Sequence, residues 1–406
     1  MRYGVFSLML AMTLVVACAP AAPSPTAPPP KPTEAPKPAA KPAEAPKPAV
    51  KPTEAPAAKP AEAKPAASPA AKPAEKPAAK PLTPIKTVAL ELNPTPDPIV
   101  AWVDVTQELG LFEKNGLQVE IKRSGGGGPA KVQALVAGEA DIAVSDIIAG
   151  FSGVYEGTDV RTIFVPTARY GWIIAAKKKY TQVPQLKGQL VGVPSLGGSS
   201  RFGGILTFKA FGIADQDVKW QAVGGTAQML AAQFSGRTEA AVLSPTAVPL
   251  IKGPDAADTH VLVPNTAKHT PPFPNFVIIA RNKWVQENPE AAERYVKAFV
   301  DMGRQLAKDQ QAFVRVARKF LPEMTNDEAA ALWKTVTDEG FWSENGGINL
   351  AATQELLNTY FEVRGDKPND KLAKAADTFN TGPLKRVLDR EKVIETSKDK
   401  PDWYKP

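Results

Sequence analysis

One stretch of this chain occurs twice. Gly125 to Asp146 reads GGGGPAKVQALVAGEADIAVSD, and some hundred residues later Gly224 to Ser244 reads GGTAQMLAAQFSGRTEAAVLS. Each copy opens on glycines and continues into a short amphipathic helix, expected from Pro129 to Ala137 in the first. Each helix stops at a glycine, Gly138 or Gly236. An acidic residue follows three positions on (Asp141, Glu239), then an apolar run ending in serine. Proline suits a first helical position and glycine a helix C-terminus. Val132, Leu135 and Val136 recur at the spacing of one helix face. A unit used twice predicts two similar lobes with a cleft between them.

The flanking sequence repeats the alternation. KTVALEL near Ile85 is an expected strand, and Asp97-Pro98 an expected cap and first turn of a helix from Ile99 to Leu109. Leu117–Lys122, Val160–Val165 and Trp172–Ala176 are further strands, so Ile85 to Ala176 predicts a largely parallel sheet with helices on its faces. Leu190–Pro194 opens a second round, closed by Val261–Val263. Trp172–Ala176 leaving one lobe and Phe276–Ala280 returning to it would make a two-strand hinge. The expected division is 85–176 for lobe 1, 177–274 for lobe 2, and 275–395 for the return strand and C-terminal helices packed on lobe 1. In that last part Tyr295, Phe299, Met302 and Leu306 share a face, Thr325 with Glu328 suggests a capping box, and Asn349 a cap. Residues 396–406 read as a loose tail.

The N-terminal part is not fold. Residues 1–17 carry Arg2 and an apolar run from Val5 to Val16, the pattern of a secretory signal too short to span a bilayer. Val15-Val16-Ala17-Cys18 resembles a lipobox, in which Cys18 receives a lipid such as palmitate and becomes the mature N-terminus; an ordinary signal with a chance cysteine is the alternative. Cys18 is the chain's single cysteine, so the remainder has neither a disulfide nor a cysteine nucleophile. From residue 18 to 84 the composition collapses to Ala, Pro, Lys and Glu in a ten-residue repeat. Such a segment has too little apolar surface to offset the entropy of ordering and reads as a disordered, extended stalk, or else as a binding tail.

Charge excludes one function class. The chain of 406 residues carries a net +7. Arg2 supplies one of these charges, and ten lysines against five glutamates from residue 19 to 84 supply five more, so +1 is left for the remainder. A near-neutral folded part without a basic tract does not predict a nucleic-acid partner.

ELGLFEKNGLQVEI, GGGGPAKVQALVAGEADIAVSD, LKGQLVGVPSLGGSS and GGTAQMLAAQFSGRTEAAVLSP, in this order, resemble the substrate-binding proteins of ABC importers for nitrate, sulfonates, taurine and thiamine-pyrimidine precursors. The match runs from about Ile85 to Ala298, and Glu239 departs from the aspartate usual there. The resemblance implies an α/β, two-lobed periplasmic-binding-protein fold of type II-like form. Each lobe is then a mainly parallel sheet flanked by helices, and the cleft closes on a ligand and presents the closed form to a membrane permease. The expected partners are a small-molecule ligand, an ABC permease with its ATPase, and the membrane through the lipid on Cys18. The expected location is extracytoplasmic and the expected state a monomer. No cofactor or metal is expected.

Ligand residues are expected where loops enter helices at the carboxyl ends of strands, because free N–H groups there hold anions. Gly127 and Gly128, then Ser195, Gly198, Ser199 and Ser200, then Gly225 and Thr226 form three such loops. SLGGSS is the best candidate anion cradle, or else a plain strand-to-helix turn. Ser145, Asp146 and Ser244 fall at equivalent strand ends. Asn93, Thr95 and Asp97 line the first loop, with Asp97 possible as a cap alone. Arg169 and Arg201 could pair with an oxyanion, and Tyr170 and Trp172 could stack on a ring, or all four could serve packing and surface. Asp141 and Glu239 are expected to hold backbone N–H groups instead of ligand. A sulfonate- or nitrate-like ligand is expected, with a flat heterocycle as the alternative, and sensing for a receptor as the alternative to transport. Enzymes on related folds use cysteines absent here, and His260 and His269, the two histidines, belong to no metal-ligand pattern, so catalysis is not expected.

Overall fold

A computed structural model describes residues 82–91, 97–123, 127–365 and 374–405. The expected signal, Cys18 and most of the stalk lie outside them, as do Asn93 and Thr95.

Two five-stranded sheets carry the fold. The first contains β1 (Ile85–Glu91), β2 (Leu117–Arg123), β3 (Ile142–Asp146), β4 (Val160–Phe164) and β10 (Phe276–Arg281), in the order β2-β1-β3-β10-β4. The second contains β5 (Ile173–Lys177), β6 (Leu190–Val193), β7 (Lys219–Ala222), β8 (Ala240–Leu243) and β9 (Thr259–Val263), in the order β7-β6-β8-β5-β9. The two orders are the same pattern. β1 runs parallel to β2 and β3, and β6 parallel to β7 and β8. One strand is antiparallel in each sheet, β10 between β3 and β4 and β5 between β8 and β9. Every residue of β3 and β5 is buried, which is why these strands read as continuous apolar runs without alternation.

The repeated sequence unit lands on equivalent elements. Its first copy forms helix α3 (Gly127–Ala137) and β3, and its second forms α6 (Thr226–Phe234) and β8. Gly138 and Gly236 end the helices at φ of +80° and +77°, the left-handed backbone that glycine adopts without strain. Asp141 accepts the Val88 N–H at 2.7 Å, as expected, whereas Glu239 pairs with Lys179 at 2.9 Å. The longer Glu239 side chain reaches past the backbone to an ammonium on the neighbouring element.

Three sequence expectations are corrected. Trp172–Ala176, expected in the first sheet, is β5 of the second; a five-residue strand buried on both faces carries no mark of its partners, and pairing Ile173 with Leu243 decides the matter. The chain therefore crosses between sheets through Val165–Trp172 and again before Phe276. These crossings touch: the Tyr170 N–H donates to the Phe273 carbonyl at 2.9 Å, and Trp172 and Thr266 exchange two bonds of 2.8 Å. Second, the helix after Asp97 starts late, as α1 (Trp102–Glu108), with the short α2 (Leu111–Lys114) behind it; Asp97 caps a preceding turn, its Oδ1 accepting from Ile99 at 3.0 Å and its carbonyl from Ala101 at 2.8 Å.

The third concerns the C-terminus. Helices α7 (Asn282–Glu287), α8 (Pro289–Leu306), α9 (Gln310–Phe320), α10 (Asn326–Asp338), α11 (Leu350–Arg364), α12 (Ala375–Thr378) and α13 (Gly382–Glu391) follow β10. Tyr295, Phe299, Met302 and Leu306 are buried along α8, and the Thr325–Glu328 box and the Asn349 cap both form. The expected loose tail is a strap. The Asp399 carboxylate accepts from Asn345 (2.8 Å) and Gly347 (3.0 Å), and Asp402 accepts from Leu350 (2.9 Å) and Ala351 (2.8 Å) at the start of α11. Carboxylates satisfying the unpaired amides of a helix start fix the segment in place.

Candidate functional site

The carboxyl ends of the parallel strands in the two sheets meet. From the first sheet, Asp146 ends β3 and caps α4 (Ile147–Tyr155), its Oδ1 accepting the Ala149 N–H at 3.0 Å. The same oxygen accepts from the Ser199 hydroxyl at 3.1 Å. Ser199 opens α5 (Ser199–Ala210), which follows β6 of the second sheet. A second bridge lies alongside. Thr246 Oγ donates to Asp97 Oδ2 at 2.8 Å and is 2.9 Å from Ser244 Oγ, to which the Tyr170 hydroxyl donates at 3.2 Å. Ser244 caps the 3₁₀ turn Pro245–Leu250 after β8. In both bridges a carboxylate from the first sheet meets a hydroxyl at the start of a helix on the second. The partial positive charge of a helix start favours that pairing.

Aromatic packing ties the two bridges together. Phe276 is the β10 partner of Asp146, and its ring centre is 5.4 Å from that of Tyr170 and 6.5 Å from that of Trp102. Phe341 packs on both Tyr170 (5.8 Å) and Trp102 (5.7 Å). Asn275, which receives the Ile147 N–H on its carbonyl, is 2% exposed, and its side-chain Oδ1 has no partner among the described residues. The Trp102 indole N–H likewise has none.

Gly128 permits this geometry. A Cβ there would collide with Asp146 Oδ2 and lie 2.6 Å from the Ala149 Cβ and 2.9 Å from Ser145 Oγ. The backbone at the start of α3 is thus pressed against the Asp146 carboxyl, an approach open to glycine alone. Ser145 is fully buried, its hydroxyl 3.3 Å from the Asp146 carbonyl.

Burial pushes the Asp146 carboxyl above the usual carboxylate range, against the pull of hydrogen bonds from Ala149 and Ser199. Burial does the same to Asp97, opposed by Ile99 and Thr246. It also raises the Tyr170 hydroxyl, with the Ser244 bond opposing and the Asp97 charge assisting. Two further charges lie near the end of β1: buried Lys131 on α3 faces Glu91, burial lowering the ammonium and the Glu91 charge raising it.

The structure brings Asp97, Gly128, Ser145, Asp146, Tyr170, Ser199 and Ser244 together. Other expected site residues make different contacts. Arg201 is held by Asp215 at 2.7 Å and lies over the Trp220 ring, 5.8 Å from its centre. Arg169 donates to the Ala267 carbonyl at 2.6 Å, and Trp172 packs edge-on against Phe273 at 5.0 Å within the crossing segments. Ser195 is exposed, and Gly198 and Ser200 flank Ser199 at the α5 start. Gly127 and Gly225 form the entries to α3 and α6, and Thr226 opens α6, partly exposed. Thr246, Trp102 and Asn275 were not expected. Only Thr246 carried a signal: Ser244-Pro-Thr246 is a cap with a proline at the first position of the turn.

Two open depressions lie away from this contact. One of about 520 Å³ is lined by Arg161, Asn282, Gln286, Asp377, Asn380 and Thr381, and another of about 490 Å³ lies along β1 and β2. Neither holds a residue from the second sheet. Among the described residues no group of His, Cys, Asp and Glu side chains could hold a metal ion, and no helix is long and apolar enough to cross a membrane.

The model of the NMT1/THI5-like family matches residues 98–312. No curated protein matches the chain in sequence. Several solved structures share the fold. They include the alkanesulfonate-binding protein SsuA from Xanthomonas axonopodis pv. citri bound to MOPS, 14% identical, with a TM-score of 0.57 over 73% of this chain and 98% of that one. The periplasmic aliphatic sulphonate binding protein SsuA from Escherichia coli is 16% identical, with a TM-score of 0.55 over 73% and 92%. The ligand-binding component of an ABC-type import system from Staphylococcus aureus, with zinc bound, is 15% identical, with a TM-score of 0.58 over 75% and 99%. At these identities the likeness is one of fold, and the fold is that of the periplasmic binding proteins.

Proposed function

This chain belongs to the NMT1/THI5-like family, and on that premise we propose that it is an extracytoplasmic solute-binding protein that delivers a small polar solute to an ABC importer. The observation that carries the reading is the pair of bridges, Asp146 to Ser199 and Asp97 to Thr246. They join the two sheets at the ends of the strands, through side chains that a solute entering between the sheets would meet first. Two short crossings, bonded to each other through Tyr170 and Phe273, are the natural axis for opening. The expected lobe boundaries move accordingly, with lobe 2 beginning before β5. A lipid on Cys18 would keep such a receptor near its permease.

A second reading of the ligand has its own support. The N–H groups at the start of α5, with Ser199 and Ser200 beside them, suit an oxyanion, and two of the similar structures are named as sulfonate-binding proteins. An anion would have to displace Asp146 from that position. Use of the same closed form by a signalling receptor is the alternative to transport.

The delivery step is tested by capture. Full-length protein, bound to its solute, is incubated with membranes bearing a candidate ABC permease and its ATPase from the same cells. Retention that requires both permease and solute supports delivery. Retention by a neighbouring sensor kinase in place of the permease would replace transport with signalling.

A further inference from the structure

Resting on the solute-binding reading, we propose that the solute is a nitrogenous cation, an amidinium, guanidinium or primary ammonium, held through its N–H groups by Asp97 and Asp146. The acceptors lie on one side of the cleft. Asp146 is 8% exposed, and its partners are an amide and a hydroxyl. Asp97 is likewise met by the Ile99 amide and the Thr246 hydroxyl. A carboxylate enclosed this way lacks the countercharge that normally accompanies burial. Arg201 pairs with Asp215, Arg169 donates to the Ala267 carbonyl and Lys131 faces Glu91, so none of these cations meets either carboxylate.

An independent observation points the same way. Asn275 Oδ1, at the β10 end beside Phe276 and Asp146, is a buried acceptor without a partner among the described residues. Leaving such an acceptor unsatisfied is costly, and a donor brought by a solute would remove that cost. Phe276, the strand partner of Asp146, packs against Tyr170 and Trp102 at this end of the sheet. An oxyanion in this place would approach two carboxylates.

The test uses the full chain and four probes: benzamidine as a ring cation, benzamide and benzenesulfonate as its neutral and anionic ring counterparts, and agmatine as an open-chain cation. Melting temperature and calorimetric titration are read at pH 7.5. Benzamidine or agmatine should raise the melting temperature, with benzamide and benzenesulfonate at least tenfold weaker. Asp97→Asn and Asp146→Asn should each weaken the cation at least tenfold. Both variants keep an oxygen acceptor at the same position, and an unchanged far-UV spectrum without probe shows that they fold. A melt raised as much by benzenesulfonate or benzamide as by benzamidine overturns the cationic class and leaves solute capture standing. A panel without any shift overturns the class as well. Solute delivery itself falls only if the permease capture described above fails.

Discussion

Thr246→Val is the most informative single substitution. Valine preserves the shape of threonine and removes the hydroxyl that reaches Asp97 across the two sheets at 2.8 Å. Asp97 is left with the Ile99 amide, and Ser244 keeps the Tyr170 hydroxyl. Neither sheet loses a packed apolar side chain, so the loss falls on the closed form. The bond is part-buried and its acceptor is a carboxylate; losing its donor is worth about 1–3 kcal/mol, which converts to about a five- to 150-fold shift from closed to open. The assay is a spin-label distance distribution in a Cys18→Ala background, with labels at Gln118 and Lys219 on the exposed faces of the edge strands β2 and β7. The parent should populate one short distance, and Thr246→Val should add a longer one. Identical distributions in the two proteins would refute the claim that this bridge holds the lobes together.

Other consequences can be checked singly. Gly128→Ala drives a methyl into Asp146 and the Ala149 Cβ; overpacking of this kind destabilises by about 1–3 kcal/mol, measurable by urea unfolding. For Asp146, burial favours the neutral form, so its folded-state pKa is raised. Its contribution to stability is then complete below the unfolded-state pKa and is lost as pH rises through the folded one. Asp146→Asn should therefore melt higher than the parent near neutral pH, with the advantage vanishing toward pH 4; an advantage constant with pH would contradict this. Asp399→Ala strands the Asn345 and Gly347 amides, and should cost about 2 kcal/mol or more and speed hydrogen exchange in residues 345–350. Cys18→Ala should release the protein from membranes without changing solute affinity, checked by fractionation and titration.

Most of the architecture was legible because its signals are local. Gly138 and Gly236 announce helix ends, Thr325 and Glu328 a helix start, and the doubled unit announces a doubled sheet. The position of β5 was not legible, since IIAA specifies burial and says nothing of which sheet buries it. Site residues divide in the same way. Ser145, Asp146 and Ser244 could be found at equivalent strand ends of the repeat. Thr246 and Asn275 matter through contacts that exist only after two distant segments meet. Arg201 shows the same limit: its partners Asp215 and Trp220 belong to other elements and meet it only in the fold. The tail misled because composition cannot show that Asp399 and Asp402 will find unpaired amides.

The central claim, capture between the two sheets at Asp97 and Asp146, is tested most directly by hydrogen exchange with and without the solute extracted from the protein's own cells. Protection should appear in four segments, 97–103, 142–149, 198–202 and 244–247, and little elsewhere. Protection centred instead on Arg161, Asn282 and Asn380, around the open depression on the first sheet's side, would contradict it.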